Sequence, residues 1–274
     1  MTILFHIGFH KTGSTWLQQK YFSNSSNFNL INNSVEPWKD ILIKNIVSNT
    51  SDDININELS QSFKSLCIPN KINVVSAERL SGHPISGGYD ALSIANNLYT
   101  LYPKAKILIV KRDAISFTKS VYKQMIVEGY AGTANEFLSG NNWKTCGPKQ
   151  QYFLQDKTIR TYEGIFGAEN VLTLGFENFV SNKKEFINDI EQFLNIKTKF
   201  NDNLHEEVIN RTFSNKRLKA LRLLNVFRKT EINRFPAINL GDFLTIKASR
   251  IISILFSNSP IIKDKTVQAF FSNK

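Results

Sequence analysis

The chain has 274 residues, 42% of them hydrophobic, and its 34 Lys and Arg outnumber 23 Asp and Glu for a formal net charge of +11. This length and apolar content exclude a disordered chain and a small disulfide scaffold, and predict a domain with a real core. Residues 211–274 hold 13 basic and 3 acidic side chains, or +10, leaving +1 for the first 210; this disfavours uniform coating of nucleic acid and leaves one basic face for an anion, an acidic polymer or a phospholipid surface.

Ile3–Ile7 is short, apolar and rich in β-branched and aromatic residues, so it reads as a buried strand running into a Gly-containing turn at Gly8–Gly13. Ser14 and Thr15 are expected to cap a helix with the body Trp16–Phe22. Asn and Ser dominate Ser23–Ser34 and again Asn45–Asn57, which predicts loops there. Lys71–Val75 is the next strand, delivering Ser76, Ala77, Glu78 and Arg79 to its C-terminal end. A loop over Gly82–Gly88 follows, then a helix over Ala91–Tyr102 with Leu92, Ala95, Leu98 and Leu101 at helical spacing and Pro103 past its end.

Ala105–Val110 is almost wholly apolar, as expected of a strand in the middle of a parallel sheet, and it delivers Lys111, Arg112 and Asp113. Ala114–Glu128 reads as a helix, Asn170–Leu174 as a strand and Lys183–Leu194 as a helix, with a further helix over Asn215–Phe227. Alternating strands and helices predict a single α/β domain over 1–274: three layers, P-loop-like, with a mainly parallel central sheet flanked by helices. Residues 211–274 form its basic, largely helical C-terminal segment. Phe235–Phe256 mixes apolar and cationic residues, which suits contact with a membrane interface as well as it suits a core helix.

Cys67 and Cys146 lie far apart, with no Cys or His at ligand spacing, so neither a zinc site nor a disulfide framework is expected, and a reducing compartment is. The N-terminus has neither the basic start nor the long apolar run of a secretory signal, and no stretch reaches the ~20 apolar residues that cross a bilayer. The expected location is the cytoplasm, with peripheral contact at the inner face of a membrane through the basic C-terminal segment.

Gly8 and Gly13 stand five positions apart between a strand and a helix, the setting of a phosphate loop. An ATP or GTP loop places Lys directly after the second Gly, followed by Ser or Thr for magnesium. Here Ser14 holds that position and the lysine is Lys11, at the crown of the loop, where it reaches over the terminal group of a bound anion. No clear magnesium-holding acid marks the end of a neighbouring strand, so metal-dependent NTP hydrolysis is the weaker reading.

The run Phe5–Gln18, FHIGFHKTGSTWLQ, resembles the 5′-phosphosulfate motif of sulfotransferases that use 3′-phosphoadenosine 5′-phosphosulfate (PAPS), in its bacterial and carbohydrate-type form. The resemblance implies that Lys11 meets the bridging oxygen of the sulfuryl group, that Thr12, Gly13, Ser14 and Thr15 cradle the 5′-phosphate, and that Trp16 stacks on adenine. It also places an Arg at the end of a central strand and a Ser eight residues on to hold the 3′-phosphate, which Arg112 and Ser120 match. Arg supplies a planar fork for phosphate and Ser a small donor. Leu174–Phe179 with Phe193 and Leu194 resembles a later, structural stretch of the same family, from which Phe176 and Asn178 depart.

Sulfuryl transfer is an in-line displacement at sulfur that needs positive charge at the developing anion, a task for Lys11, and a base for the acceptor's proton. Glu78 is the candidate base because it would share a sheet edge with the loop, and carbohydrate-type members use a Glu-Lys pair after this strand; here the pair is Glu78-Arg79. Cytosolic members use a His nearby, which keeps His83 and His10 in play. The basic C-terminal segment offers Arg211, Lys216 and Arg217 either to close over the 3′-phosphate or to attract an anionic glycan or lipid surface. The implied acceptor is a carbohydrate or glycolipid hydroxyl, less readily an amine, with PAP as the other product and neither metal nor nucleic acid required. A P-loop kinase of small molecules and a non-catalytic nucleotide or polyanion binder remain as alternatives.

Overall fold

The computed structural model describes residues 1–31, 38, 41–48, 55–139, 148–197, 213–236 and 238–272. Five strands, β1 (Thr2–Gly8), β2 (Phe28–Ile31), β3 (Ile72–Ser76), β4 (Lys106–Lys111) and β5 (Val171–Gly175), form a sheet in the order β2-β3-β1-β4-β5. Every described pairing in it is parallel. Strands β1, β3 and β4 are buried almost throughout, which is why they read as mostly apolar runs.

Helices cover both faces. On one, Leu4, Val74, Leu108 and Val110 pack with Leu17, Phe22, Phe186 and Ile190. On the other, Phe5 meets Phe63 of the helix Ile56–Ser65 at a ring separation of 6.4 Å. The expected three-layer α/β architecture is therefore present. Register aligns Gly8 with Val110, His6 with Ser76, and Lys111 with Gly175, so the C-terminal ends of β1, β3, β4 and β5 share one edge of the sheet. The chain leaves β1 toward the β2 side and leaves β4 toward β5, so the crevice between β1 and β4 is a switch point of the kind where open α/β sheets bind ligands.

Three local expectations are corrected. The Asn- and Ser-rich stretch 23–34 is not all loop, because Phe28–Ile31 pairs with Ile72–Val75 as an edge strand. Within the second polar stretch, Asn45–Val47 completes a wide helical turn, Ile41–Val47, and Ile56 opens the next helix. The buried stripe of the helix Ala91–Leu101 includes Ile94, Ala95, Leu98 and Leu101, whereas Leu92 is exposed.

The chain divides into two compact units, residues 1–113 with 151–209, and 114–150 with 210–274. The first holds the sheet. In the second, the helix Ala114–Val127 ends on carbonyls that other segments of that unit satisfy. Asn225 Nδ2 donates to the carbonyls of Ile126 (2.7 Å) and Tyr130 (3.0 Å), and Arg228 Nη1 donates to that of Val127 at 2.6 Å. The basic C-terminal segment thus folds together with 114–150 rather than standing alone. Among the described residues no helix is long and apolar enough to cross a membrane.

Candidate active site

The loop after β1 closes so tightly that a Cβ on Gly8 would lie 2.3 Å from Ser14 Oγ. Lys11 (φ 65°) and Gly13 (φ 84°) both take left-handed backbone conformations, a turn chemistry that folds N–H groups toward one concave side. Gly13, not Ser14 or Thr15, is the N-cap of the helical run that begins at Ser14 and continues as wide turns through Phe22. The expected side-chain cap is replaced by this left-handed glycine, and Ser14 is free to turn inward. Its hydroxyl is buried and has no hydrogen-bond partner among the described residues.

Thr12 is buried and donates from Oγ1 to the Phe9 carbonyl at 2.6 Å, so its side chain ties the loop to itself and only its backbone faces a ligand. Thr15 is half-buried in the first helical turn. Trp16 is a core residue: its ring packs edge-on against Phe179 at 5.1 Å, with the Lys183 ammonium 4.7 Å over it. That packing occupies the ring that the resemblance would place on adenine.

Beyond β3, Glu78 opens a short 3-10 turn, Glu78–Ser81. Its Oε2 lies 2.9 Å from His10 Nδ1, and it also accepts the backbone N–H of Lys11. Burial pushes the Glu78 carboxyl up, but the His10 hydrogen bond and the positive charges of His10 and Lys11 prevail and hold it below the usual carboxylate value. Arg79 turns away from the loop to pair with Asp90.

His83 caps the next turn, its Nδ1 accepting the Ile85 N–H at 3.2 Å, so in the neutral ring Nε2 carries the proton. Burial lowers its pKa, helped by Arg79 and His10 and opposed by Asp90. A neutral imidazole whose free nitrogen is a donor is poorly set up as a base. His10 presents the reverse arrangement, Nδ1–H toward Glu78, and its buried Nε2 has no hydrogen-bond partner among the described residues.

Arg112 follows β4 and spans the switch-point crevice, its Nη1 donating to the Lys11 carbonyl at 3.0 Å. Its guanidinium lies 4.8 Å over the Phe176 ring, and burial lowers its pKa against the opposing pull of Glu177 and Asp113 without removing its charge. The Arg112 backbone is gripped twice by the buried side chain of Gln155: its N–H donates to Oε1 at 2.9 Å, and its carbonyl accepts from Nε2 at 2.6 Å.

Sequence reasoning missed this clamp, for Gln155 sits in an unremarked polar stretch. It also passed over a network under the loop: His6 Nδ1 lies 2.6 Å from Ser76 Oγ, which accepts from Gln18 Nε2 at 2.9 Å. A lone His inside an apolar strand was the available signal. Lys11, His10, Glu78 and Arg112 therefore come together at one sheet edge, with Ser14 beneath. Ser120 lies half-buried on the helix Ala114–Val127, in the second unit. Arg211 lies outside the described residues. Lys216 and Arg217 stand on the helix Asn215–Leu224, where Arg217 stacks 3.7 Å over Phe213.

The profile of the sulfotransferase domain family matches residues 2–238. No curated protein sequence is significantly similar to the chain. Among solved structures, a sulfotransferase from Alicyclobacillus acidocaldarius is similar at 17% identity and a TM-score of 0.55, over 81% of this chain and 94% of that one. The sulfotransferase domain from the curacin biosynthetic pathway is 13% identical over 100% of this chain and 98% of that one, with a TM-score of 0.46. A mouse sulfotransferase complexed with PAP is 13% identical over 99% of this chain and 81% of that one, at a TM-score of 0.45.

Proposed function

This chain belongs to the sulfotransferase domain family, and we propose that it transfers the sulfuryl group of PAPS to a hydroxyl of a carbohydrate or glycolipid. The observation that carries the reading is the meeting of Lys11, Glu78 and Arg112 at the loop after β1. The residues present fit the donor. Ser14 offers a buried hydroxyl with no partner among the described residues, Gly8 leaves the loop floor without a Cβ, and Lys11 and Arg112 supply the cations.

PAPS supplies an activated sulfuryl group and a phosphate that leaves. The loop over Thr12–Thr15 would hold the 5′-phosphate through backbone N–H groups and Ser14 Oγ. The family pattern assigns the 3′-phosphate to Arg112 and Ser120, and Arg211 is a further cation candidate for it. Lys11 would neutralise charge that grows on the departing oxygen.

Glu78 takes the acceptor's proton in this reading. Its side chain is one-third exposed, whereas the free nitrogen of His10 is buried, so the carboxylate is the group an acceptor meets and His10 orients it. A glycolipid acceptor would be met at the membrane surface, with the enzyme working in the cytoplasm as a peripheral protein of the inner face.

Transfer of labelled sulfate from PAPS to a panel of glycans and glycolipids tests the reading, together with calorimetric titration of PAP. Binding of PAP and labelling of a hydroxyl acceptor are expected. Binding of ATP with magnesium but not of PAP would instead favour a small-molecule kinase, and PAP binding without any transfer a non-catalytic binder.

A further inference from the structure

The helix Asp242–Ile252 is amphipathic in the wrong sense for a core helix. Thr245 and Ser249 are buried, and their hydroxyls bond back to the carbonyls of Gly241 (2.9 Å) and Ile246 (2.7 Å). Phe243, Leu244 and Ile251, by contrast, are 67%, 60% and 71% exposed. At 100° per residue these three share one face with Lys247 and Arg250. The next turn adds Ile254 and Leu255, both largely exposed.

Cations border this apolar face on the same helix. Lys247 lies 4.1 Å over the Phe243 ring, with both side chains on the outside. Among the described residues from 213 onward only Glu231, Asp242 and Asp264 are acidic, and each is held in an ion pair, with Arg234, Arg228 and Lys119 respectively. The surface thus offers apolar side chains and uncompensated positive charge together.

We infer that this face is a docking surface for an anionic phospholipid bilayer, with Phe243, Leu244 and Ile251 entering the headgroup–acyl boundary and Lys247 and Arg250 meeting lipid phosphates. A second copy of the chain fits less well, since a two-fold contact through this face would set Lys247 and Arg250 against their own counterparts. A bilayer bearing negative charge satisfies both halves of the surface. The inference rests on the peripheral-membrane reading of the enzyme and not on its transfer chemistry.

Sedimentation of the full chain with phosphatidylcholine vesicles, with and without phosphatidylglycerol, tests it. The parent should bind the anionic vesicles and release them at high salt. Phe243→Glu with Leu244→Glu should weaken binding about tenfold or more, since it removes apolar area and adds repulsion. Lys247→Gln with Arg250→Gln should weaken it about thirtyfold and flatten its salt dependence. All four side chains are exposed, so unchanged thermal melts and unchanged transfer to a soluble acceptor should accompany the loss. A parent that binds while both double variants bind equally well overturns this face and leaves the peripheral reading standing. A parent that ignores anionic vesicles overturns both, and a parent dimer that Phe243→Glu dissociates assigns the face to a second copy instead.

Discussion

Oε2 of Glu78 lies 2.9 Å from Nδ1 of His10, so the carboxylate that follows β3 is held against the crown of the loop that follows β1. Such a contact restricts the carboxylate's rotation and keeps it ionised while leaving part of its surface open.

Glu78→Gln keeps the shape of the side chain and can still accept from His10, but it cannot take a proton. Turnover should fall by about two to four orders of magnitude, the range general-base loss commands, while affinity for PAP stays within a few-fold. His10→Asn should cost less, about tenfold, because the carboxylate remains. The pH profile separates the two groups. Because the Glu78 carboxyl is held below its ordinary value of 4.5, the rate should hold as pH drops and decline only below that value, as the base takes a proton. A decline that sets in above that value would report a different base. A decline there, or a Glu78→Gln variant with near-parental turnover, removes Glu78 as the base.

Ser14 gives a prediction in which stability and binding move in opposite directions. Its buried hydroxyl has no hydrogen-bond partner among the described residues, so Ser14→Ala should leave the melting temperature unchanged or raise stability by up to about 1 kcal/mol. Affinity for PAP should nonetheless drop about tenfold, the worth of one hydrogen bond to a charged group. Thr12→Val makes the contrast, since it deletes the bond to the Phe9 carbonyl and should destabilise the fold by about 1 kcal/mol. Thermal melts and calorimetry read both quantities. Parallel losses in the Ser14 variant would show that the hydroxyl supports the loop rather than a ligand.

Much of this arrangement was legible in the sequence, and the rest was not for identifiable reasons. The strand that ends at Gly8 and the strand that delivers Arg112 are buried almost throughout, so they are mostly apolar runs that stand out by composition. Their loops are marked by Gly8 and Gly13. The edge strand Phe28–Ile31 was hidden because Asn29 belongs to a polar seam, its Nδ2 bonding Asn73 Oδ1 at 2.8 Å. The contact of His10 with Glu78 joins residues 68 positions apart and exists only because β1 and β3 pair in parallel, a register no local pattern encodes. The inward turn of Thr12 depends on how tightly the loop closes, which single residue types do not reveal.

Gln155 acts on the site at second hand, through both backbone groups of Arg112. Gln155→Leu keeps most of the volume and removes both of these bonds to the Arg112 backbone. Stability should fall by about 2 kcal/mol or more. Because Arg112 also holds the Lys11 carbonyl, its displacement should raise the dissociation constant for PAP, by about tenfold, with little change in turnover at saturating donor. Gln155→Glu should rescue little, since a carboxylate can accept from the Arg112 N–H but cannot donate to its carbonyl. Unaltered PAP affinity in Gln155→Leu, with the expected loss of stability, would limit Gln155 to a role in folding.

His6 sets the acid limit of stability. It is fully buried in β1, and burial lowers its pKa from 6.5 to about 4, with the Glu78 charge opposing only in part. Above 6.5 both folded and unfolded chains carry the neutral ring, so its contribution is complete there. As pH falls from 6.5 toward 4 the unfolded chain binds a proton that the folded chain refuses, and stability declines through that window before levelling off below it. The decline amounts to roughly 3 kcal/mol at an energy of about 1.4 kcal/mol per pH unit. Urea unfolding across this range should show a steep parental loss. His6→Gln, which keeps a hydrogen-bonding group toward Ser76 but cannot titrate, should show a shallower one, the difference between the two isolating the imidazole from the carboxylates that also titrate in acid. Curves that stay parallel from 6.5 down to 4 would mean that the buried ring takes up its proton without cost, and that His6 does not limit the fold in acid.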